Sequence, residues 1–183
     1  MATATNVSAG KPKIGGAVYR APAGTTLPTD ASTALANAFV ALGYCSDSGL
    51  TNSNSPETDA IKAWGGDTVM TIQTSKEDTF AFTLIEALNV DVLKAIYGDT
   101  NVSGTLSTGI TITANSKEQT ESIYVFELVM RGGAVKRIVI PSASLTEMGD
   151  VVYNDNDPVG YEMTLTALPD SSGNTHYEYL LKA

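Results

Sequence analysis

Residues 59 to 98 decide the fold, beginning Asp59-Ala-Ile-Lys-Ala-Trp-Gly-Gly-Asp67, continuing through Thr79-Phe-Ala-Phe-Thr-Leu-Ile-Glu86 and ending Ala95-Ile-Tyr-Gly98. Gly65 and Gly66 tolerate positive φ between two runs of β-formers, Ala60 to Trp64 and Thr68 to Thr74, which predicts a hairpin turning at Gly65-Gly66-Asp67. After a polar turn at Lys76-Glu77-Asp78, strict alternation puts Phe80, Phe82 and Leu84 on one face of a strand and Thr79, Ala81 and Thr83 on the other. One face is built for burial, and the other is wet or shared. A short helix follows. Asn89 is its N-cap, Asp91 suits its positive end, Leu88 is placed to staple onto Leu93, and Gly98 stops it. Val90, Leu93, Ile96 and Tyr97 fall on one side.

Upstream, residues 1 to 16 are small, polar and glycine-rich (Gly10, Gly15, Gly16) and read as an arm; residues 17 to 183 read as one domain. A short strand is expected at Ala17 to Ala21. A second helix is expected from a Thr29 or Asp30 cap through Leu35, Ala38, Phe39 and Leu42 to Gly43. Tyr44 to Leu50 reads as a strand and Thr51 to Pro56 as a polar loop. Downstream, Asp99 to Gly109 reads as a connection and Ile110 to Ala114 as a strand. Glu121 to Met130 and Ala134 to Ile140 flank Arg131-Gly132-Gly133, and the apolar residues on both sides of Ile123 to Met130 predict cover on two faces. A separate short strand is expected from Pro141 to Met148, then Val159 to Leu168 with Tyr161, Met163 and Leu165 inward, then a hairpin loop into Tyr177 to Leu181. The sum is a mainly β sandwich or barrel of nine or ten strands with two short flanking α-helices.

The composition excludes several classes of function. A net charge of −9 over 183 residues repels phosphates, and the local basic group Arg131, Lys136 and Arg137 reads as a solvated strand face, so the chain is not a conventional DNA-binding protein. No apolar run reaches membrane-spanning length, and the first eight residues carry neither the basic nor the apolar part of a secretion signal, so synthesis in the cytosol is expected. Cys45 and His176 are single, and no activating context surrounds either. Neither Gly-Gly pair is followed by the Lys-Ser/Thr of a phosphate loop, and the elbow, zinc and dithiol motifs are missing. Glu77 and Asp78, like Glu118 and Glu121, read as solvated turn carboxylates, and Asn154 to Asp157 reads as a turn in preference to a calcium loop. The residues therefore describe an assembly or binding domain with no catalytic site, metal or cofactor.

The ordered series Leu27-Pro-Thr-Asp30, Leu42-Gly-Tyr-Cys-Ser-Asp-Ser-Gly-Leu50, Ile61-Lys-Ala-Trp-Gly-Gly-Asp67, Phe82-Thr-Leu-Ile-Glu86 and Val92-Leu-Lys-Ala-Ile-Tyr-Gly98 resembles the tail tube (major tail) proteins of long-tailed, siphophage-type bacteriophages. The similarity is densest from about residue 22 to 100, and Asp47-Ser48 departs from a pattern with two acidic residues before the glycine. The resemblance implies a virion protein assembled in the host cytoplasm into hexameric rings. Their sheets would join into one continuous β-barrel, and the rings would stack into the tube that conducts DNA without binding it specifically. Its implied partners are further copies of itself and the tail tip or baseplate, tape measure and tail terminator proteins. On that reading Thr71, Gln73, Ser75, Thr79 and Thr83, together with Glu127, are expected to face the lumen. Asn52, Ser53, Asn54 and Ser55, with Lys11 and Lys13 of the arm, are expected to make inter-ring contacts. The alternative is a β-sandwich carbohydrate-binding or adhesion module, in which Trp64 and the tyrosines would stack on sugars; beside a Gly-Gly turn, Trp64 reads more simply as a core or turn anchor.

Overall fold

A computed structural model describes residues 2–14 and 16–182; the arm's Met1 and Gly15, and Ala183, lie outside the described residues. The strands are β1 (Lys11–Pro12), β2 (Val18–Pro22), β3 (Val40–Ala41), β4 (Cys45–Ser53), β5 (Pro56–Lys62), β6 (Thr68–Lys76) and β7 (Thr79–Leu84). The helix α1 (Val90–Tyr97) follows, and then β8 (Val102–Thr105), β9 (Gly109–Ile112), β10 (Ser122–Val129), β11 (Val135–Met148), β12 (Tyr161–Ala167) and β13 (Tyr177–Leu181). Nine strands form one antiparallel sheet in the order β3-β2-β10-β11-β12-β7-β4, with β1 added to β10 and β13 to β11. The pairs β5-β6 and β8-β9 stand apart as two-stranded ribbons.

The long strand β11 joins the two halves of the sheet. Val135 to Val139 pair with β10 on one edge and β13 on the other, whereas Ala143 to Met148 pair with β12. Pro141 was expected to begin a new strand, but the strand runs through it. Between Tyr124↔Ile140 and Ser122↔Ala143 the register shifts, so Pro141, which lacks an N–H, sits in a bulge where the ladder does not need one. The same arrangement corrects the expected terminal hairpin: β12 and β13 do not pair with each other, and both lie along β11.

The sheet curls so that β7 faces β10. The Phe126 ring lies 6.0 Å from that of Phe80, stacked, and 5.2 Å from that of Phe82, edge to face. Phe80, Phe82 and Leu84 are buried while Thr79, Ala81 and Thr83 are half-buried, as the alternation requires. Helix α1 closes one end with Val92, Leu93, Ala95 and Ile96. Asn89 caps it by accepting from the Asp91 N–H, and Gly98 ends it at φ 96°. The expected staple is missing, because Leu88 is largely exposed. The bidentate pair of Arg20 on β2 with Asp99, 2.8 Å at each oxygen, fastens the turn after the helix to the sheet.

The second expected helix does not form; residues 29 to 39 are irregular. Asp30 starts as a cap should, accepting from the N–H groups of Ser32 and Thr33. The carbonyls of Asp30 and Thr33, which a helix would spend on its next turn, instead accept from Arg137 Nη1 at 2.8 Å each. Through Arg137 this segment is held beside Glu127, and Ile123, Val125 and Glu127 are buried as fully as Tyr124 and Phe126, so both faces of β10 are covered, as expected from the sequence. Arg137 is likewise not on a solvated face: it is buried and pairs with the buried Glu127, which also takes Lys13 of the arm. One charge cluster therefore ties together the arm, the 30–33 turn, β10 and β11. Removing one member of a buried pair strands the other, at a typical cost of about 3–5 kcal/mol. We expect Arg137→Ala to lower stability by that order in urea titration; a loss under about 1 kcal/mol would make the cluster incidental.

Candidate functional site

Two surfaces gather the residues singled out by the sequence. The first is the β5-β6 hairpin. Its turn falls where expected, with Gly65 and Gly66 at φ 110° and 100°. Among the described residues its strands pair only with each other, and every residue of both is exposed. The register assigns its faces. Ile61 opposes Met70 and Asp59 opposes Ile72, placing Ile61, Met70 and Ile72 on one side. Ala60 opposes Thr71 and Thr58 opposes Gln73, placing small and polar groups on the other. Ser75, expected beside them, is not there: the register shifts at Thr74, so Ser75 opposes Glu57 on the Asp59 side and donates to its carboxylate at 2.8 Å. The ribbon is amphipathic, and among the described residues nothing covers its apolar side. Trp64 is no core anchor: it sits at the tip and is fully exposed.

The second surface is the outward side of β7 and its neighbours. Thr79, Ala81 and Thr83 lie beside Thr166, Thr164 and Glu162 of β12 and beside Ser53 and Thr51 of β4, and the hydroxyls of Thr146 and Thr166 meet at 2.9 Å. Thr79 and Thr83 are thus together on a face of small polar side chains, whereas Thr71 and Gln73 lie on one side of the separate ribbon and Ser75 on its other side. Glu127 belongs to neither. It is 1% exposed, and Lys13 and Arg137 occupy its carboxylate. Burial would push that carboxyl up, but the hydrogen bonds and charges of Lys13 and Arg137 hold it below the usual range.

The expected 51–56 loop is mostly strand, since β4 runs to Ser53 and leaves only Asn54 and Ser55 as the joint to β5. Asn52 turns inward and donates to Asp78 and to the Thr79 carbonyl. Asn54 Oδ1 is buried with no hydrogen-bond partner among the described residues. Lys11 is exposed on β1, while Lys13 is fastened to Glu127.

Asp78 is the residue the sequence misplaced. Read as a solvated turn carboxylate, it is instead 2% exposed at the joint between β6 and β7. Asn52 of β4 donates to it at 2.8 Å, and the Thr175 hydroxyl and His176 Nδ1, just before β13, each lie 2.5 Å away. The His176 ring also stands edge-on to Phe80 at 5.3 Å. Burial would raise the Asp78 carboxyl, yet the Thr175, Asn52 and His176 contacts outweigh it and hold it below the usual range. The strand to which the hairpin is attached, the C-terminal strand and edge strand β4 therefore share one buried anion. The only signal in the sequence was a lone histidine, with nothing to say which carboxylate it meets.

The family model described as phage tail tube protein matches residues 6–183. The chain belongs to that family. Its role is accordingly structural, as a component of the phage virion tail. A solved structure similar to it is the tube-terminating cap of an anti-feeding prophage, 9% identical over 98% of both chains with a TM-score of 0.47. No curated protein matches the sequence. Tail tube family membership agrees with the resemblance carried by residues 27 to 98, and the main sheet is mainly β and open, not closed into a barrel within one chain. Among the described residues no helix is long and apolar enough to cross a membrane.

Because its folded pKa lies below the unfolded value of about 3.9, Asp78 contributes stability that is complete well above that pH and is lost as pH falls through the folded pKa. Asp78→Asn is expected to cost about 1.5–3 kcal/mol at pH 7 and to flatten the decline in urea midpoint between pH 5 and pH 2. An equal loss at every pH would show that the carboxylate's charge is not what matters.

Proposed function

We propose that this chain assembles as a hexameric ring whose open sheets join edge to edge into one barrel, and that stacked rings form the tube through which the phage genome passes. The observation that carries the reading is the hairpin: its apolar side, Ile61, Met70 and Ile72, is exposed in the single chain, and a two-stranded ribbon of this kind is marginal without cover. The free edges of β4 and β13 support it, since unpaired strand edges recruit another chain and ring closure removes them.

In the ring, Thr71 and Gln73 of the hairpin and Thr79 and Thr83 of β7 line the lumen, and Thr164 and Thr166 widen the same polar face. With a net charge of −9 per copy, such a wall offers phosphates no counterion-release gain, so DNA slides without being held. Ser53, Asn54, Ser55 and Lys11 contact the next ring; Asn52 and Lys13 act indirectly, by fixing the joint and the arm. Residues 1–16 serve as the arm and the remainder as one domain. The chain works without catalysis, assembles in the host cytoplasm, and meets the tail tip, tape measure and terminator proteins.

Full exposure of Trp64 at the hairpin tip favours one second reading, an adhesion module that stacks this indole on sugars. One pair of measurements separates the two. Concentrated wild-type protein is expected to give rings or hollow tubes in negative stain, and the emission of Trp64, the chain's single tryptophan, to move to the blue as they form. Persistent monomers whose Trp64 emission responds to glycans instead would decide for adhesion.

A further inference from the structure

We infer that the hairpin of one copy seats its apolar side in a groove at the open end of the sandwich of a second copy, a proposal that rests on the assembly reading above and names its acceptor. The groove has a volume of about 690 Å³ and runs between β4 and the β1-β10 side of the sheet. Val18, Phe82, Phe126 and Ile138 of the buried core form its floor, and the partly buried Leu50 and Leu128 form its apolar mouth. The same chain carries a surface of matching chemistry in Ile61, Met70 and Ile72, exposed by 44%, 57% and 46%. Its own hairpin leaves the groove open, which makes a second copy the donor.

Two further features fit this occupant. Among the described residues β4 pairs on one side only, with β7, so residues 45 to 50 offer free backbone groups along the groove to an incoming strand. The hairpin's outer strand edges are unpaired in the same way, so the two edges can share a ladder. The contact joins two different patches of identical copies, and repeating it yields a ring or a helical stack without a separate self-complementary surface.

Disulfide trapping tests the seat. In a Cys45→Ser background, Met70→Cys with Ser46→Cys puts one thiol on the apolar side of the hairpin and one on the groove wall; Gln73→Cys with Ser46→Cys moves the first to the polar side. Mild oxidation of assembled particles is expected to give a ladder of linked copies from the first pair and little from the second. Tubes that form without a ladder, or with equal ladders, would overturn the groove as acceptor and leave the tube reading intact. Failure of the wild type to assemble at all would overturn both. As a readout free of cysteines, Leu50→Glu charges the groove and leaves the hairpin untouched. It is expected to abolish assembly while the monomer retains its circular dichroism, and undiminished assembly by this variant would overturn the proposal.

Discussion

The packing of Phe126 against Phe80 and Phe82 holds the rest of the structure in place. It brings the two halves of a nine-stranded sheet face to face, and only then do β12 and α1 have a core to close over. Full burial of an aromatic side chain of this size stabilises by about 1.5–3 kcal/mol, and each aromatic contact adds about 0.5–1.5 kcal/mol. The bulge at Pro141 permits the curl, since it allows β11 to serve both halves without an unpaired N–H at the bend.

Around this apolar centre three charge groups, each with at least one buried member, fasten peripheral pieces to the sheet. Glu127 with Arg137 and Lys13 holds the arm and the 30–33 turn, Arg20 with Asp99 holds the end of α1, and Asp78 with Asn52, Thr175 and His176 holds the root of the hairpin and the start of β13. Hydrophobic burial does little to position the arm, the 30–33 turn and the root of the hairpin, which have little that is apolar to bury. Charged hydrogen bonds hold them, at the cost of desolvation that complete pairing offsets.

What the sequence disclosed and what it hid divides along this line. Local rules placed the Gly65-Gly66 turn, the alternation of β7, the Asn89 cap and the Gly98 stop, because each depends on neighbours within a few residues. Long-range partners were invisible. Asp30 carries a sound cap signal, but its carbonyl goes to Arg137, over a hundred residues away, and no helix follows. Asp78 and Glu127 read as wet carboxylates because their partners, His176 and Arg137, come from other strands. Of the candidate lumen residues, Thr79 and Thr83 share a polar face because β-alternation is local; Glu127 shares the sequence signature of a wet face and is claimed by the arm and β11 instead.

The hairpin is where the single chain falls short of a finished structure. Its strands pair along their whole length, with two bulges, and its turn is well formed, yet one side presents Ile61, Met70 and Ile72 to water. Satisfied backbone with unburied side chains describes an element whose cover comes from elsewhere, and that is the central claim here. Hydrogen–deuterium exchange across residues 56 to 76, followed in the monomer and in the assembled state, tests it most directly. The account predicts fast exchange in the monomer and strong protection after assembly, confined to this ribbon and the strand edges. Equal exchange in both states would contradict it.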